Sequence, residues 1–226
     1  MGTARPLTIA VPKGRTLGPL GDVLARAGVD IAPLTAKGRA LVRPSTAGDL
    51  ALQFLLLKSD DVPTYVEYGA ADLGVCGRDI LTERGCDVYQ PLDLGIGRCR
   101  LVVAGRASAS APSLDGALYG ASALSRVATK YPRSAERHFA RRGLQVEIVN
   151  VSSSVELAPI MGLSDLIVDL VETGTTLVEN GLEVKEDVYA VSTLLIANRV
   201  SYKVRAAEIG PLVARLRDAV AAAPAA

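Results

Sequence analysis

Residues 164–177 read Ser164-Asp165-Leu166-Ile167-Val168-Asp169-Leu170-Val171-Glu172-Thr173-Gly174-Thr175-Thr176-Leu177. The apolar run at 166–170 has the length of one buried strand. It leads directly into two acids, a glycine and three threonines, and a helix is expected to start at Thr176. That order builds an anion cradle. Gly174 lets the backbone turn tightly and come close to a ligand. The first N–H groups of a helix have no partner in their own helix and can point at a phosphate. Thr173, Thr175 and Thr176 add hydroxyl donors, while Asp169 and Glu172 can accept bonds from sugar hydroxyls or help hold a cation. One loop offering phosphate donors and ribose acceptors suits a phosphorylated sugar. Thr176-Leu177-Val178-Glu179 also fits a capping box that closes the helix start on itself, so the loop alone leaves both readings open. A Walker A loop is excluded, because no lysine follows a glycine in the G-x-x-x-x-G-K frame.

Outward from this stretch, strand and helix signals alternate. Strands are expected at 7–11, 51–57, 72–77, 87–89, 100–104, 126–129, 146–149 and 189–197. Helices are expected at 17–27, from 62 to Gly69, at 78–84, 134–142, 155–161 and 207–221. Such alternation argues for parallel sheets covered by helices. We expect an α/β fold of two lobes with mostly parallel sheets. Lobe I is discontinuous, residues 1–95 plus 186–226, and lobe II spans 96–185. Sheets of this type bind ligands at the carboxyl ends of their strands, and a cleft between two lobes is a natural place for an active site. Residues 105–122, rich in Ser, Ala and Pro, read as a loose surface connection, and the Ala/Pro tail from 219 as a fraying end.

Composition narrows the function classes. The 226 residues are 49% hydrophobic, enough for a sizeable core. Aromatics are 4% with no Trp, which disfavours stacking platforms for single-stranded nucleic acid. Lys and Arg number 25 against 24 Asp and Glu, far from the basic bias of a general DNA binder. Cys76, Cys86 and Cys99 form no C-x-x-C pair and are odd in number, which points to reduced thiols in a cytoplasmic protein. His138, the single histidine, sits in a polar helical stretch and reads as a bystander, so histidine-based metal sites and Ser-His-Asp engines are out of reach. The first residues lack the apolar core of a secretory signal, and no apolar run is long enough to span a bilayer.

Other constellations are basic. Pro12-Lys13-Gly14-Arg15 follows the first strand, with two cations and a glycine at its carboxyl end. It reads either as a polyphosphate clamp or as a solvated turn. Lys37-Gly38-Arg39, Arg43 and Lys58 add cations in the same lobe; singly each is an ordinary surface charge, together they oppose the acids and threonines of lobe II. The glycines of 67–79 fit either backbone approach to a ligand near Gly77 or tight helix–strand packing. Ser153 to Glu156 is another capping frame, and Glu156 alternatively faces a ligand.

Taken together, Glu156, Gly162, Ser164, Ile167, Asp169, Thr173, Gly174, Thr176 and Leu177 resemble the signature of the ATP phosphoribosyltransferase family, the first enzyme of histidine biosynthesis. Pro12-Lys13-Gly14-Arg15, Asp61-Val62-Pro63-Thr64-Tyr65-Val66, Ala71-Asp72-Leu73-Gly74 and Ala128-Thr129-Lys130-Tyr131 support it, over residues 7–202. The resemblance implies a type II periplasmic-binding-protein-like fold with the active site in the cleft between the lobes. It implies transfer of the phosphoribosyl group of phosphoribosyl pyrophosphate to N1 of ATP. In that reading Asp169, Glu172, Thr173, Gly174, Thr175, Thr176 and Glu156 bind phosphoribosyl pyrophosphate. Arg15 and Arg39 act catalytically on the leaving pyrophosphate, and Lys13, Gly14, Lys58 and Cys99 line the ATP side. Lys58 stands where relatives usually carry Arg, and Lys keeps the charge but loses the planar fork. Mg²⁺ is the implied cofactor, held mainly by substrate phosphates. The chain resembles the short form of the family. That form implies a homodimer of catalytic chains and a regulatory subunit similar to histidyl-tRNA synthetase in a hetero-octamer, with no nucleic acid and no membrane as partners. Two rivals are a non-catalytic two-lobe binding module, and a type I phosphoribosyltransferase acting on a free base. The first would need an export signal or a DNA-reading domain. The second would need two adjacent acids before the loop, whereas Asp169 and Glu172 are separated by two residues.

Overall fold

The computed structural model describes residues 5–107 and 124–222. The chain divides into two compact units, one of residues 1–97 and 192–226, the other of residues 98–191. The joins therefore fall at Gly97/Arg98 and Val191/Ser192, against the expected 95/96 and 185/186.

The first unit holds a six-stranded sheet. Its strands are β1 (Leu7–Pro12), β2 (Val42–Ala47), β3 (Leu50–Leu57), β4 (Leu73–Gly77), β5 (Tyr89–Asp93) and β11 (Thr193–Ala197), in the order β2-β3-β1-β4-β11-β5. Its helices are α1 (Leu17–Arg26), α2 (Ala32–Thr35), α3 (Val62–Glu67), α4 (Arg78–Arg84), α8 (Arg199–Val204) and α9 (Ala206–Ala221). β1 pairs in parallel with β3 and β4. β1 is buried along its whole length because helices cover both faces. Leu7, Ile9 and Val11 pack with Leu20, Val23 and Leu24 of α1 and Leu212 and Leu216 of α9. Ala10 faces Val62 and Val66 of α3 and Ile80 of α4 on the other side.

The second unit holds a five-stranded sheet, β10-β6-β9-β7-β8. Its strands are β6 (Cys99–Arg106), β7 (Arg126–Thr129), β8 (Glu147–Asn150), β9 (Leu166–Val171) and β10 (Leu182–Val191). Its helices are α5 (Pro132–Arg141), α6 (Leu157–Ile160) and α7 (Thr175–Glu179). β7 pairs in parallel with β8 and β9. Val127, Phe139, Leu166 and Val168 form one core layer, and Val102, Ala104, Ala128, Ile167 and Leu177 the other.

Two expectations change, and one pair of alternatives is narrowed. The sheets are mixed rather than mostly parallel: β2 returns on β3 as a hairpin, and β6, β10 and β11 run antiparallel to their neighbours. The apolar run 189–197 is not one strand. It ends β10 in one sheet and supplies β11 to the other, with the chain changing units at Ser192. The glycines around β4 serve packing. A Cβ on Gly74 would lie 2.6 Å from Val66 Cγ2 and 2.9 Å from Val62 Cγ1 of α3, and the space beside Gly77 is filled by the Asp79 side chain. The Ser/Ala/Pro-rich connection falls mostly, and the end of the tail wholly, outside the described residues.

Candidate functional site

The three parallel strands of the second unit bring their carboxyl ends to one edge. β7 ends in Thr129-Lys130, β8 in Asn150 followed by Ser152-Ser153-Ser154, and β9 in Asp169 to Val171 followed by Glu172-Thr173-Gly174. Hydrogen bonds tie these ends together. Thr129 Oγ1 donates to Val168 O at 2.6 Å and accepts from Tyr131 N at 2.8 Å, while Val151 N donates to Thr129 O at 3.1 Å.

On this edge the threonine loop has the geometry of a cradle. Gly174 sits in the left-handed region (φ 84°, ψ −2°), which a residue with a Cβ enters only with strain, and it forms the N-cap of α7. No side chain caps that helix start. The capping box at Thr176 and Glu179 is not formed, because α7 begins at Thr175 and Thr176 already lies inside it. Thr173 Oγ1 and Thr175 Oγ1 are 3.1 Å apart across the turn. Leu177, buried in the core, anchors the short helix and leaves Thr173, Thr175 and Thr176 exposed.

Asp169 is half-buried just inside the edge. Its Oδ1 accepts the Leu170 N–H at 2.8 Å. Burial pushes its carboxyl above the usual aspartate range; the Leu170 N–H pulls back down, the Glu156 charge pushes the same way as burial, and Lys130 opposes. Glu156 and Asp169 are thus close enough to feel each other. Glu156 is itself the N-cap residue of α6 with no side-chain cap, so the expected Ser153 frame is absent too: the helix begins at Leu157, too late for Ser153 to cap it. Among the described residues, Ser154 is the non-glycine residue with positive φ (49°). Strain of this kind concentrates at functional turns. Because β6 is antiparallel to β9, with Arg100 opposite Val171, Cys99 starts its strand at the same edge.

In the first unit, the corresponding edge gathers the cations. Pro12 is in register with Leu57, and Lys13 N donates to Leu57 O at 2.9 Å, so Lys13, Gly14 and Arg15 leave β1 beside Lys58 leaving β3. Arg39 joins them, because Val42 of β2 pairs with Leu55 and Leu56 N donates to Leu41 O at 2.8 Å; the loop before β2 therefore lies at the end of β3. Arg43 does not act as a further open cation: its guanidinium donates to four backbone carbonyls.

Sequence reasoning gave Lys130 and Ser154 no role. Lys130 was legible as a cation following a parallel strand, the pattern of Lys13 and Lys58. The φ of Ser154 leaves no trace in a serine run. His138 Nε2 lies 3.7 Å from Glu186 of β10, with its pKa lowered first by burial. The three thiols form no disulfide. Burial, followed by the Asp79 charge, drives the Cys76 thiol far up, which keeps it protonated and unreactive.

The architecture is that of type II periplasmic binding proteins, built from two α/β units whose parallel strands present polar carboxyl ends. The periplasmic aliphatic sulphonate binding protein SsuA of Escherichia coli shares it at a TM-score of 0.61 and 15% identity, over 97% of this chain and 74% of that one. The ATP phosphoribosyl transferase (HisG:HisZ) complex from Thermotoga maritima is nearer, at a TM-score of 0.77 and 33% identity over 95% and 97% of the two chains. A family profile described as ATP phosphoribosyltransferase matches residues 58–218. The ATP phosphoribosyltransferase of Sorangium cellulosum is 60% identical over 219 residues, 97% of this chain and 98% of its own length. That of Bordetella pertussis is 44% identical over 220 residues, 96% of each. The chain belongs to the ATP phosphoribosyltransferase family.

Proposed function

We propose that the chain transfers the phosphoribosyl group of phosphoribosyl pyrophosphate to N1 of ATP, releasing pyrophosphate, as the first step of histidine biosynthesis. The observation that carries this reading is the Gly174 turn. It sets three exposed threonines and a helix start at the end of β9, the strand that carries Asp169, whose carboxyl is raised first by burial and also by the Glu156 charge. Phosphate and ribose ask for those two kinds of partner side by side. The N–H groups and hydroxyls of residues 173–176 hold the 5′-phosphate, and Asp169, Glu172 and Glu156 accept from the ribose hydroxyls.

N1 of adenine carries a free lone pair. It forms the new bond to the anomeric carbon as the carbon–oxygen bond to pyrophosphate breaks, and that electron pair leaves on the pyrophosphate oxygen, with inversion. No general base is needed, which suits a chain whose single histidine lies against Glu186. Arg15 and Arg39 stabilise the departing charge, and Lys13, Gly14, Lys58 and Cys99 receive ATP. Among the described residues no group of three His, Cys, Asp or Glu side chains could hold a metal ion. Mg²⁺ would be held mainly by the substrate phosphates, with Asp169 and Glu172 the loop carboxylates that would complete its shell, and it would supply neutralisation of the departing charge. The T. maritima relative was solved as a complex with a second protein. That likeness supports a second protein as partner; we read the partner as a regulatory subunit resembling histidyl-tRNA synthetase, and the assembly as a hetero-octamer that includes homodimers of the catalytic chain. No helix of the described residues is long and apolar enough to cross a membrane, and we place the enzyme in the cytoplasm.

The test combines the chain with ATP, phosphoribosyl pyrophosphate and Mg²⁺, with and without the candidate partner, and follows phosphoribosyl-ATP by ultraviolet absorbance. Product in neither arm overturns the reading. Arg15→Ala is expected to lower the turnover number more than it weakens substrate binding; an unchanged turnover number removes Arg15 from the leaving-group role.

A further inference from the structure

We propose that Arg43 is a positioning residue for Arg39: its guanidinium folds the loop that carries Arg39 and holds it at the phosphate edge of the first unit. The loop between α2 and β2 has little to fix it. It contains Lys37-Gly38-Arg39, its residues are exposed, and Gly38 adopts φ +142° with nothing within 4 Å of where a Cβ would be. A chain so open has many conformations to lose before a side chain on it can meet a ligand in one geometry.

Arg43 supplies the missing constraint. From the second position of β2 its side chain turns back over the loop. Nη1 donates to Pro33 O at 2.6 Å and to Ala36 O at 2.7 Å, Nη2 to Gly38 O at 3.1 Å, and Nε to Ala40 O at 3.0 Å. Those carbonyls bracket Arg39 on both sides and reach back into α2. Arg43 itself is fixed by its strand, where it pairs with Phe54, a fully buried core residue. The constraint thus runs from the core through β2 and one guanidinium to the loop. Only a planar fork with donors on all three nitrogens serves four carbonyls at once; an ammonium is a single point with three donors. The same bonds engage four of the five N–H donors of Arg43, which sets it apart from the open cations of the loop.

This inference rests on the proposed leaving-group role of Arg39, and a double-mutant cycle separates the two. Turnover and KM for ATP and for phosphoribosyl pyrophosphate are measured for Arg39→Ala, Arg43→Gln, Arg43→Lys and the Arg39→Ala/Arg43→Gln pair. Hydrogen exchange of the amides of residues 37–41 is measured alongside. Arg43→Gln is expected to lower turnover about tenfold to a hundredfold, the scale of a displaced catalytic group. Exchange is expected to quicken in that loop alone, Arg43→Lys to fail to rescue, and Arg43→Gln to cost nothing further once Arg39 is alanine. Additive losses in the pair, or rescue by lysine, overturn the proposal. So does unchanged loop exchange, a result that can be read even if the variant is too unstable to assay. Unchanged turnover in Arg39→Ala together with faster loop exchange in Arg43→Gln overturns the role of Arg39 while leaving the stapling intact.

Discussion

Asp169 is a carboxylate held in the fold at a cost to its ionised form. Its folded pKa is raised, chiefly by burial, so the ionised form is less at home in the fold than in the unfolded chain. For an acid shifted this way, stability is lost as pH rises from the unfolded value of 3.8 through the higher folded value, and the penalty is complete above it. Asp169→Asn is therefore expected to raise the melting temperature of the free protein at neutral pH while weakening phosphoribosyl pyrophosphate binding. A thermal scan and a titration calorimetry run check the two halves. In the native protein, that affinity is expected to decline on acidification from a pH above 3.8, and the decline to be absent in Asp169→Asn. Gly174 makes the complementary case. A Cβ there meets Val171 Cγ1 at an ordinary 3.8 Å, so Gly174→Ala introduces strain rather than a clash. It is expected to cost about 1–2 kcal/mol in chemical denaturation, with a larger proportional loss in sugar affinity as the turn relaxes.

At the scale of elements, legibility followed periodicity. The boundaries of α4 and β7 coincide with the sequence expectation, and β1, β3, α1 and β9 lie within one or two residues of it, because each is a compact apolar pattern between clear stops. β2 left no such pattern: Val42-Arg43-Pro44-Ser45-Thr46-Ala47 is an edge strand, where Pro and Arg are tolerated and half the ladder faces solvent. The loop of Arg39 was consequently read without the strand that positions it. The turn at residues 173–176 was legible, since its members are contiguous, although its helix starts at Thr175 rather than Thr176. The closeness of Glu156 to Asp169 and the bonds of Arg43 were not legible: the first depends on where the turn before α6 falls beside β9, and the second on a side chain that folds back over residues 33–40, and neither leaves a pattern in the sequence. Helix α3 carries a prediction of its own. Gly74→Val would drive a branched side chain into Val66 and Val62, and a loss of about 1–3 kcal/mol is expected, read in urea denaturation, with the threonine loop of the other unit unaffected.

Across the whole molecule, one buried carboxylate gathers distant parts of the first unit. Asp72, fully buried, accepts from Arg5 Nη2 at 2.6 Å, Thr8 N at 2.9 Å, Ser201 Oγ at 2.8 Å and Arg205 Nη1 at 2.9 Å. It links the chain's first strand to its last two helices. Asp72→Ala leaves Arg205 and the Thr8 N–H short of a partner in the interior and is expected to cost about 3–5 kcal/mol, measured as a lower denaturation midpoint.

The placement of β11 carries a further consequence, for biosynthesis. That strand lies between β4 and β5, yet residues 98–191 are translated before it. A nascent chain thus has all of residues 98–191 in hand while the six-stranded sheet still lacks the strand next to its β5 edge. β5 waits with no neighbour until the ribosome has delivered residues 193–197. A stalled or prematurely terminated chain would expose that unfilled slot, and with it the apolar edges on which unfinished polypeptides adhere to one another.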